Sequence, residues 1–223
     1  MFRICRPMQD KRRIEEMFSR MRLYEARNVI FSFGQNLIWR RYLIREAEGS
    51  LLDVATGEGN VLRLYHGGRA VGVDIAMGML RRAREGLLLV RGDAESLPIK
   101  DASFDTVSIA FGLRNVPDKL AALREFNRVL KPGGKVLILD MKIGDRLASW
   151  LALPYVGVVM PILTPLFGGS VSDYIYLFRS ILNFPGKREM EVLFSKSGFV
   201  MERAYYFHVG STYLFVGRKV GDA

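Results

Sequence analysis

Short apolar runs alternate with helical patterns along the central part of the chain. Five runs predict buried strands, at Ser50–Ala55, Arg69–Asp74, Leu87–Gly92, Phe104–Ala110 and Lys135–Met141. Helical segments are predicted between them, at Leu62–Tyr65, Met77–Arg84 and Asp118–Leu130. Asp118 suits the N-cap of the last helix, and Pro132-Gly133-Gly134 ends it. Strands that alternate with helices indicate a mostly parallel sheet in an α/β sandwich.

The two ends of the chain extend this pattern. Residues 9–44 predict N-terminal helices, in which Ile14, Met17, Phe18 and Met21 recur at helical spacing, and we interpret this stripe as core packing. Near the C-terminus a helix is predicted at Gly186–Ser197. A hairpin of Phe199–Phe207 and Thr212–Arg218, joined by His208–Ser211, follows it. We therefore predict one Rossmann-like domain over residues 1–223, with a seven-stranded sheet that ends antiparallel.

A long uncharged segment interrupts the pattern between the fifth strand and the C-terminal helix. Leu147–Ser172 contains no charged residue, and its length would suit a helix that spans a membrane. Pro154, Pro161 and Pro165 break such a helix. We expect this apolar insert (residues 147–172) to form a lid over a lipophilic molecule or a surface that enters the membrane interface.

The charge balance is basic, with 33 Lys and Arg against 23 Asp and Glu in 223 residues, a net charge of +10. This favours nucleic acid or an anionic membrane as partner, and a solvated basic surface is an equal alternative. The basic clusters, such as Lys11-Arg12-Arg13, Arg40-Arg41 and Arg81-Arg82, lack the interleaved aromatic residues of a single-strand binding surface.

Cysteine and histidine are scarce in this sequence. One cysteine, Cys5, excludes a disulfide framework within the chain, and two histidines are too few for a histidine cluster. Met1–Asp10 lacks the apolar core of a secretory signal. We expect a cytoplasmic protein that requires no metal.

A glycine-bearing loop, Asp53–Asn60, follows the first predicted strand. Gly57 and Gly59 allow positive φ and close approach of a ligand to the backbone. At the carboxyl end of a strand such a loop can cradle a nucleotide-like ligand. Alone, the loop is weak evidence for a ligand site, and the alternative is a tight turn between a strand and a helix.

Acidic residues at the ends of three predicted strands narrow the class of ligand that this loop could bind. Asp74 ends the second strand, where a carboxylate can accept both ribose hydroxyls of a nucleoside. NAD also fits, but the loop is not G-x-G-x-x-G, and Asp53 precedes it. A carboxylate there can bind the cationic amino-acid end of S-adenosylmethionine (SAM). After the third strand, Asp93 could bind the adenine amino group, with Ala94 against the ring.

This arrangement resembles the SAM-dependent methyltransferase superfamily, whose class I members share the Rossmann-like sandwich. Three motifs resemble the ubiquinone/menaquinone biosynthesis C-methyltransferases (UbiE/MenG type): Phe111–Val116 (FGLRNV), Arg128–Gly134 (RVLKPGG) and the Tyr24…Asn28…Ser32…Trp39 spacing. The resemblance extends from about Ile14 to Arg218 and includes Asp173–Pro185. The chain departs from that family at Glu25, Asn36, Asp140 and Lys142, where the family usually has Asp, His, Glu and Ser.

The resemblance implies an activity and a set of site residues. The family's SAM contacts fall on Glu58, Asp74, Asp93, Ala94 and Ala110, and Glu58 and Ala110 replace a family Thr and Ser, which favours backbone contacts there. We add Asp53, Gly57, Gly59, Ile75 and Met79 to the predicted SAM site. The resemblance also implies methylation of a ring carbon in a reduced, isoprenylated quinol that lies in the membrane.

The resemblance gives three residues to the quinol. Arg114 would stabilise the phenolate, Asn115 would orient the hydroxyl or a water, and Tyr24 would complete the hydrogen-bond network. A structural ion pair is the alternative for Arg114, and half-buried core packing is the alternative for Tyr24.

Other functions remain open from the sequence. The nearest is a class I methyltransferase that acts on another small-molecule or lipid acceptor. An RNA-modifying or RNA-binding protein would leave the uncharged insert unexplained. A nicotinamide oxidoreductase is a further alternative, which a titration with SAM and NAD would distinguish. We therefore expect a lipophilic quinol as substrate and peripheral contact of residues 147–172 with the inner face of the membrane. Nucleic acid is disfavoured as a partner, and a homo-oligomer is left open.

Overall fold

The computed structural model describes residues 11–20, 32, 34–143, 150–151, 153–163 and 171–221. Seven strands form one sheet in the order β3-β2-β1-β4-β5-β7-β6. The strands are β1 (Leu51–Val54), β2 (Ala70–Asp74), β3 (Leu89–Arg91), β4 (Phe104–Ala110), β5 (Leu130–Met141), β6 (Phe199–Phe207) and β7 (Thr212–Lys219). The predicted fold class is confirmed.

The central strands are apolar in succession because both faces of the sheet are covered. Along β5, Val136 and Ile138 belong to one buried cluster, whereas Leu137 and Leu139 belong to a second cluster. Since successive side chains of a strand point to opposite faces, the two clusters are the two sides of the sheet.

The helices in the described part of the chain are α1 (Lys11–Arg20), α2 (Gln35–Glu46), α3 (Met77–Leu80), α4 (Lys119–Val129), α5 (Met160–Leu163), α6 (Val171–Leu182) and α7 (Lys187–Lys196). Trp39 and Leu43 of α2 pack in one core cluster, and Leu123 of α4 and Phe194 of α7 pack in the other. The side chain of Asp118 accepts a hydrogen bond from the backbone N–H of Ala121, which confirms the predicted N-cap of α4.

Strand pairing creates a crevice beside β1. β1 pairs in parallel with β2 on one side and with β4 on the other, so the order in which strands are added to the sheet reverses direction at β1. Ligands of open α/β sheets bind at the carboxyl ends of the strands at such a point. β7 pairs antiparallel with β5 and β6, which confirms the predicted C-terminal hairpin.

Two predicted helices are wrong in extent. The segment Leu62–Tyr65 contains a single 3-10 turn at Leu62–Leu64, and the helix predicted at Met77–Arg84 ends at Leu80. Glycine accounts for the first difference, because it has a low helix propensity and readily adopts positive φ. Gly57 and Gly59 have φ of 59° and 77° before the first segment, and Gly86 has φ of 87° after the second.

The described part of the apolar insert is short and irregular. A π-helical turn at Tyr155–Val159 leads directly into α5. Within the residues that the structure describes, no helix has both the length and the hydropathy required to cross a bilayer. Of the predicted N-terminal helices, the part that carries Tyr24 lies outside the described residues.

Candidate functional site

A pocket opens at the carboxyl ends of β1, β2, β3 and β4, where the sequence predicts the crevice. It encloses about 1040 Å³, counting its open mouth, which is at the upper end of the range typical of small-molecule sites. Its walls come from the loops after these strands and from helices α1 and α2. The strand-end residues that line it include Asp53, Asp74, Asp93 and Ala110.

Asp53 lies at the end of β1 with only 1% of its surface exposed. Its two carboxylate oxygens accept hydrogen bonds from the hydroxyl of Ser108 at 2.6 Å and from the hydroxyl of Thr56 at 2.7 Å. Burial raises the pKa of Asp53 to about 6, against the opposing effect of these hydroxyls and of the positive charge of Arg40. Both oxygens retain acceptor capacity, so the group can bind a ligand cation.

Asp74 lies at the end of β2, where it fixes the glycine loop. Its Oδ2 accepts the backbone N–H of Gly57 at 2.8 Å, and its Oδ1 accepts the backbone N–H of Ala76 at 2.8 Å. Burial raises the pKa of Asp74, and the two backbone donors oppose that shift. The carboxylate is therefore held in one orientation with a second lone pair on each oxygen, as two neighbouring ribose hydroxyls require.

Asp93 follows β3 and is paired with the first helix. Its Oδ1 accepts the backbone N–H of Glu95 at 3.0 Å, and its Oδ2 accepts a hydrogen bond from Nζ of Lys11 at 2.6 Å. Lys11 also pairs with the carboxylate of Glu95 at 2.5 Å. Ala94 lines the pocket beside this network. The end of the pocket predicted for adenine therefore combines a small apolar wall with charged hydrogen-bonding groups.

Helix α1 covers one side of the pocket. Ile14 and Phe18 of this helix are half-buried and line the pocket. Arg82 anchors the helix, because its guanidinium donates to the carbonyls of Ser19 at 3.1 Å and Phe18 at 3.3 Å. An ion pair between Glu15 and Arg91, at 2.7 Å, adds to this contact. The interpretation of this stripe as core packing is wrong for Ile14 and Phe18, which face the pocket.

The loop after β4 has a strained backbone where it borders the pocket. Phe111 has φ of 60°, and Ala55 at the end of β1 has φ of 53°, both rare for residues with a side chain. The two strand ends approach closely at Gly112, since a Cβ built there would lie 2.6 Å from Cβ of Ala55. Such strain persists only where surrounding contacts hold it, and it is frequent at ligand sites.

Asn115 and Arg114 are neighbours in this loop with different surroundings. Asn115 lines the pocket, and its buried Oδ1 has no hydrogen-bond partner among the described residues. Arg114 is not among the described residues that line the pocket. Its Nη1 donates to Oδ1 of Asp140 at 2.6 Å, and its backbone N–H donates to Oδ2 at 3.0 Å, in an ion pair with side chains 4% and 0% exposed. The structure therefore brings Asn115, and not Arg114, to the pocket wall.

The predicted cofactor residues converge on this pocket. All but Gly59 line it: Asp53, Gly57, Glu58, Asp74, Ile75, Met79, Asp93, Ala94 and Ala110. Gly59 shapes the loop instead, with φ of 77° and a backbone N–H that donates to the carbonyl of Thr56 at 3.0 Å. The side chain of Glu58 pairs with Arg82 at 3.2 Å. Tyr24 lies outside the described residues.

Sequence reasoning missed several residues that line the pocket. Lys11 and Arg40 were counted only as parts of basic clusters, although Arg40 is 5% exposed and lies inside the pocket. Phe111 was considered only as part of the Phe111–Val116 motif, and not as a residue that lines the pocket. Local periodicity gives no signal for Arg40, because the apolar residues of α2 (QNLIWRRYLIRE) are not confined to one side of the helix.

Comparisons with known proteins agree with this geometry. The sequence model of the ubiE/COQ5 methyltransferase family matches residues 7–219. Proteins named demethylmenaquinone methyltransferase from Staphylococcus aureus strains JH9 and Newman are 37% identical over 237 aligned residues, covering 96% of this chain and 95% of each relative.

Solved structures share the fold at low sequence identity. A SAM-dependent methyltransferase from Thermotoga maritima, described as a possible histamine N-methyltransferase, has a TM-score of 0.65 at 21% identity and covers 92% of this chain and 99% of its own. One from Aquifex aeolicus has a TM-score of 0.58 at 17% identity, with 95% and 99% covered.

Proposed function

Because this chain belongs to the ubiE/COQ5 methyltransferase family, we propose that it methylates a ring carbon of a reduced isoprenoid quinone precursor, a demethylmenaquinol or related quinol. It is a SAM-dependent methyltransferase, and the names of its relatives place it with enzymes of quinone biosynthesis. The structural observation that carries the choice of acceptor is the amide of Asn115. It lies in the same pocket as the acidic strand ends, with a buried oxygen available to accept a hydrogen bond.

The residues of the pocket fit SAM. Asp74 offers two oriented oxygens to the ribose, Ala94 and Asp93 offer a small wall and a carboxylate to the adenine, and Asp53 offers a carboxylate to the ammonium group. When bound, SAM supplies a methyl group that its sulfonium already activates. The task of the chain is therefore to hold donor and acceptor in line, which can contribute several kcal/mol to lowering the barrier.

The acceptor needs a nucleophilic ring carbon, and Asn115 is placed to help create one. Oδ1 of Asn115 accepts the hydrogen bond of a ring hydroxyl and so orients it. As the hydroxyl proton leaves to water, charge moves to the ortho carbon. A carbon–carbon bond then forms as the carbon–sulfur bond breaks, with loss of the ring proton. The methyl group arrives as a cation equivalent and replaces a ring proton that passes to water, so the step needs no oxidant or reductant.

Arg114 acts in this proposal through its neighbour. The buried pair of Arg114 with Asp140 holds the loop that carries Asn115, since both the guanidinium and the backbone N–H of Arg114 bind the same carboxylate. The direct contact of Arg114 with a phenolate stays a prediction. So does the contribution of Tyr24.

A lipophilic acceptor also needs a route from the membrane. The apolar insert exposes large apolar side chains with exposed fractions of 40–73%: Trp150, Leu151, Val158, Val159 and Ile162. Tryptophan and aliphatic side chains of this kind enter the membrane interface. The net charge of +10 adds attraction to anionic lipids. These features support peripheral contact of the insert with the bilayer as the source of the quinol.

The role of Asn115 is tested by Asn115→Leu, which keeps the approximate size and removes the amide. We expect kcat for a reduced demethylmenaquinol to fall on the order of 100-fold, because the hydroxyl is no longer oriented. The affinity for S-adenosylhomocysteine, measured by calorimetry, should stay within about twofold of wild type. Asn183→Leu, at an exposed asparagine, is the control. An unchanged kcat would remove Asn115 from the mechanism, and a preference for sterols or lipid amines in the same assay would contradict the quinol acceptor.

A further inference from the structure

Arg82 connects three elements that form the wall of the pocket. Its Nε donates to the carboxylate of Glu58 in the glycine loop at 3.2 Å, and its Nη2 donates to Sδ of Met79 in α3 at 2.7 Å. Its Nη1 and Nη2 also donate to the carbonyls of Ser19 at 3.1 Å and Phe18 at 3.3 Å, near the C-terminal end of α1. Glu58, Met79 and Phe18 line the pocket, and Arg82 lies behind them. One guanidinium therefore joins the glycine loop, α3 and α1.

The geometry of the guanidinium suits this connection. It presents five N–H donors in a rigid fork, so it can bind a carboxylate and two carbonyls at once. Its side chain is 30% exposed, and solvent screens the ion pair with Glu58 in part. No described residue of α1 belongs to the two buried clusters that cover the sheet. Loss of Arg82 should therefore loosen the wall of the pocket and leave the sheet intact.

Helix α1 approaches α3 so closely that only glycine fits between them. A Cβ built on Gly78 would lie 2.7 Å from the carbonyl oxygen of Ser19 and 2.8 Å from its Cα. Ile14 and Phe18, four residues apart and so on one side of α1, line the pocket from this position. A shift of α1 away from α3 would therefore remove part of the apolar wall.

The other end of α1 is fixed by separate contacts. Nζ of Lys11 lies 2.6 Å from the carboxylate of Asp93 and 2.5 Å from that of Glu95, at the end of the pocket predicted for adenine. These ion pairs do not involve Arg82. Without Arg82, the N-terminal end of α1 should stay in place while its C-terminal half moves outward.

We propose that Arg82 is a positioning residue of the donor site, which holds α1 against the pocket and so slows the departure of bound SAM or of its product. Through Glu58 the same guanidinium ties α1 to the glycine loop. This inference rests on the pocket as the SAM site of the proposed function, and it holds whichever acceptor is methylated.

The dissociation rate of S-adenosylhomocysteine, measured by surface plasmon resonance, tests this role. Arg82→Met should raise the rate about tenfold, because it removes charged hydrogen bonds that hold the wall. The association rate should stay within about threefold of wild type, since changes of this kind act mainly on dissociation. Arg82→Lys, which keeps the charge without the fork, should dissociate at an intermediate rate. Arg81→Met, at the exposed neighbour, should change neither rate.

A second variant moves α1 and leaves Arg82 in place. Gly78→Ala should push α1 away from α3, because its Cβ has no room beside Ser19. We expect faster dissociation of S-adenosylhomocysteine, as in Arg82→Met, while circular dichroism shows both variants to be folded at the assay temperature. An unchanged rate in Gly78→Ala would contradict the role of α1.

An arginine far from the pocket controls for a general loss of stability. Arg218 pairs with Glu202 and donates to the carbonyl of Gly133 at 2.9 Å, near the amino end of β5. Arg218→Met loses contacts of the same kind as Arg82→Met. It should leave the dissociation rate within about twofold of wild type, because distant sites act independently.

The link through Glu58 is tested by a double-mutant cycle. Glu58→Gln keeps the size of the side chain and removes its charge. It should raise the dissociation rate less than Arg82→Met, which also loses two carbonyl contacts. The double variant should dissociate more slowly than the product of the two single effects predicts. Effects that simply multiply would show that Arg82 does not join α1 to the glycine loop.

Hydrogen exchange of the wild-type protein tests the position of α1 without a variant. Bound S-adenosylhomocysteine should slow the exchange of the α1 amides, because the ligand favours the arrangement in which α1 is closed against it. In Arg82→Met this protection should be weaker. Equal exchange in free and bound wild-type protein would show that α1 does not cover the ligand.

Two further results would overturn the assignment. Unchanged dissociation from Arg82→Met would show that the other contacts of α1 suffice. Equally fast dissociation from Arg218→Met would show a general effect of stability. If wild-type protein failed to bind S-adenosylhomocysteine at all, the donor site of the proposed function would be wrong instead, so the two failures are distinguishable.

Discussion

At the scale of single residues, the carboxylate of Asp53 makes the site sensitive to pH. Burial raises the pKa of Asp53 to about 6. Only the ionised carboxylate attracts an ammonium group, so ligand binding is linked to loss of this proton. We therefore expect a ligand that carries the ammonium group to bind more tightly as the pH rises through 6.

This linkage predicts a specific pH profile. Between pH 5 and pH 7 the affinity for S-adenosylhomocysteine should rise about tenfold, because the ionised fraction of a group with a pKa near 6 rises by about that factor. In Asp53→Asn the affinity should be weaker and nearly flat over this range. Calorimetry at several pH values measures both, and a wild-type profile as flat as that of the variant would exclude Asp53 from ligand binding.

The folding stability of the free protein should change with pH in the opposite direction. The pKa of Asp53 is raised on folding, so its protonated form favours the folded state. This contribution is fully present below the unfolded value of 3.8 and is lost as the pH rises through about 6.

Residue identities at the site were only partly predictable from the sequence. Asp53, Asp74 and Asp93 could be found because a carboxylate at the end of a strand has a fixed place in a parallel sheet. The position of Arg40 depends on how α2 packs on the sheet, and that of Phe18 on where α1 lies. Neither position follows from local periodicity, because periodicity shows that one side of a helix is apolar but not which part of the molecule that side contacts.

At the scale of elements, the loop after β4 depends on one buried ion pair. Removing one partner of such a pair leaves an uncompensated buried charge, which typically costs about 3–5 kcal/mol. We therefore expect Asp140→Asn to lower the free energy of unfolding by about that amount, because Arg114 is 4% exposed. Urea unfolding followed by circular dichroism measures the change.

An exposed ion pair provides the control for this prediction. Asp101 pairs with Arg128 at 2.6 Å, but the side chain of Asp101 is 77% exposed. Asp101→Asn should cost about 1 kcal/mol or less, as surface pairs do. If Asp140→Asn cost no more than Asp101→Asn, the buried pair would not be what holds the loop of Asn115.

Strands were predicted more accurately than short helices, for a physical reason. A buried parallel strand is a continuous apolar run, and each of the five predicted runs contains or overlaps an observed strand. The helical pattern at Leu62–Tyr65 is too short to specify a helix when glycines with positive φ precede it. The helix at Met77–Leu80 is cut short in a segment that also anchors α1 through Arg82.

At the scale of the whole molecule, a basic protein with an exposed apolar insert should bind anionic bilayers. We expect sedimentation with vesicles that contain phosphatidylglycerol, and a marked loss of binding in the double variant Val158→Asp, Ile162→Asp. The control double variant Val192→Asp, Val200→Asp introduces the same two charges at apolar residues that are 52% and 58% exposed on α7 and β6, and should retain most of the binding. Equal loss in both variants would indicate a general effect of charge, and no loss in the insert variant would contradict contact through the insert.

The central claim concerns the bond that the enzyme makes, so the most direct test identifies the product. Purified protein is incubated under reducing conditions with a demethylmenaquinol and SAM that carries a trideuterated methyl group, and the product is analysed by mass spectrometry and NMR. The account predicts one trideuteromethyl group on a ring carbon, absent without reductant. A label on oxygen, or no transfer to the quinol while SAM is consumed with another acceptor, would contradict it.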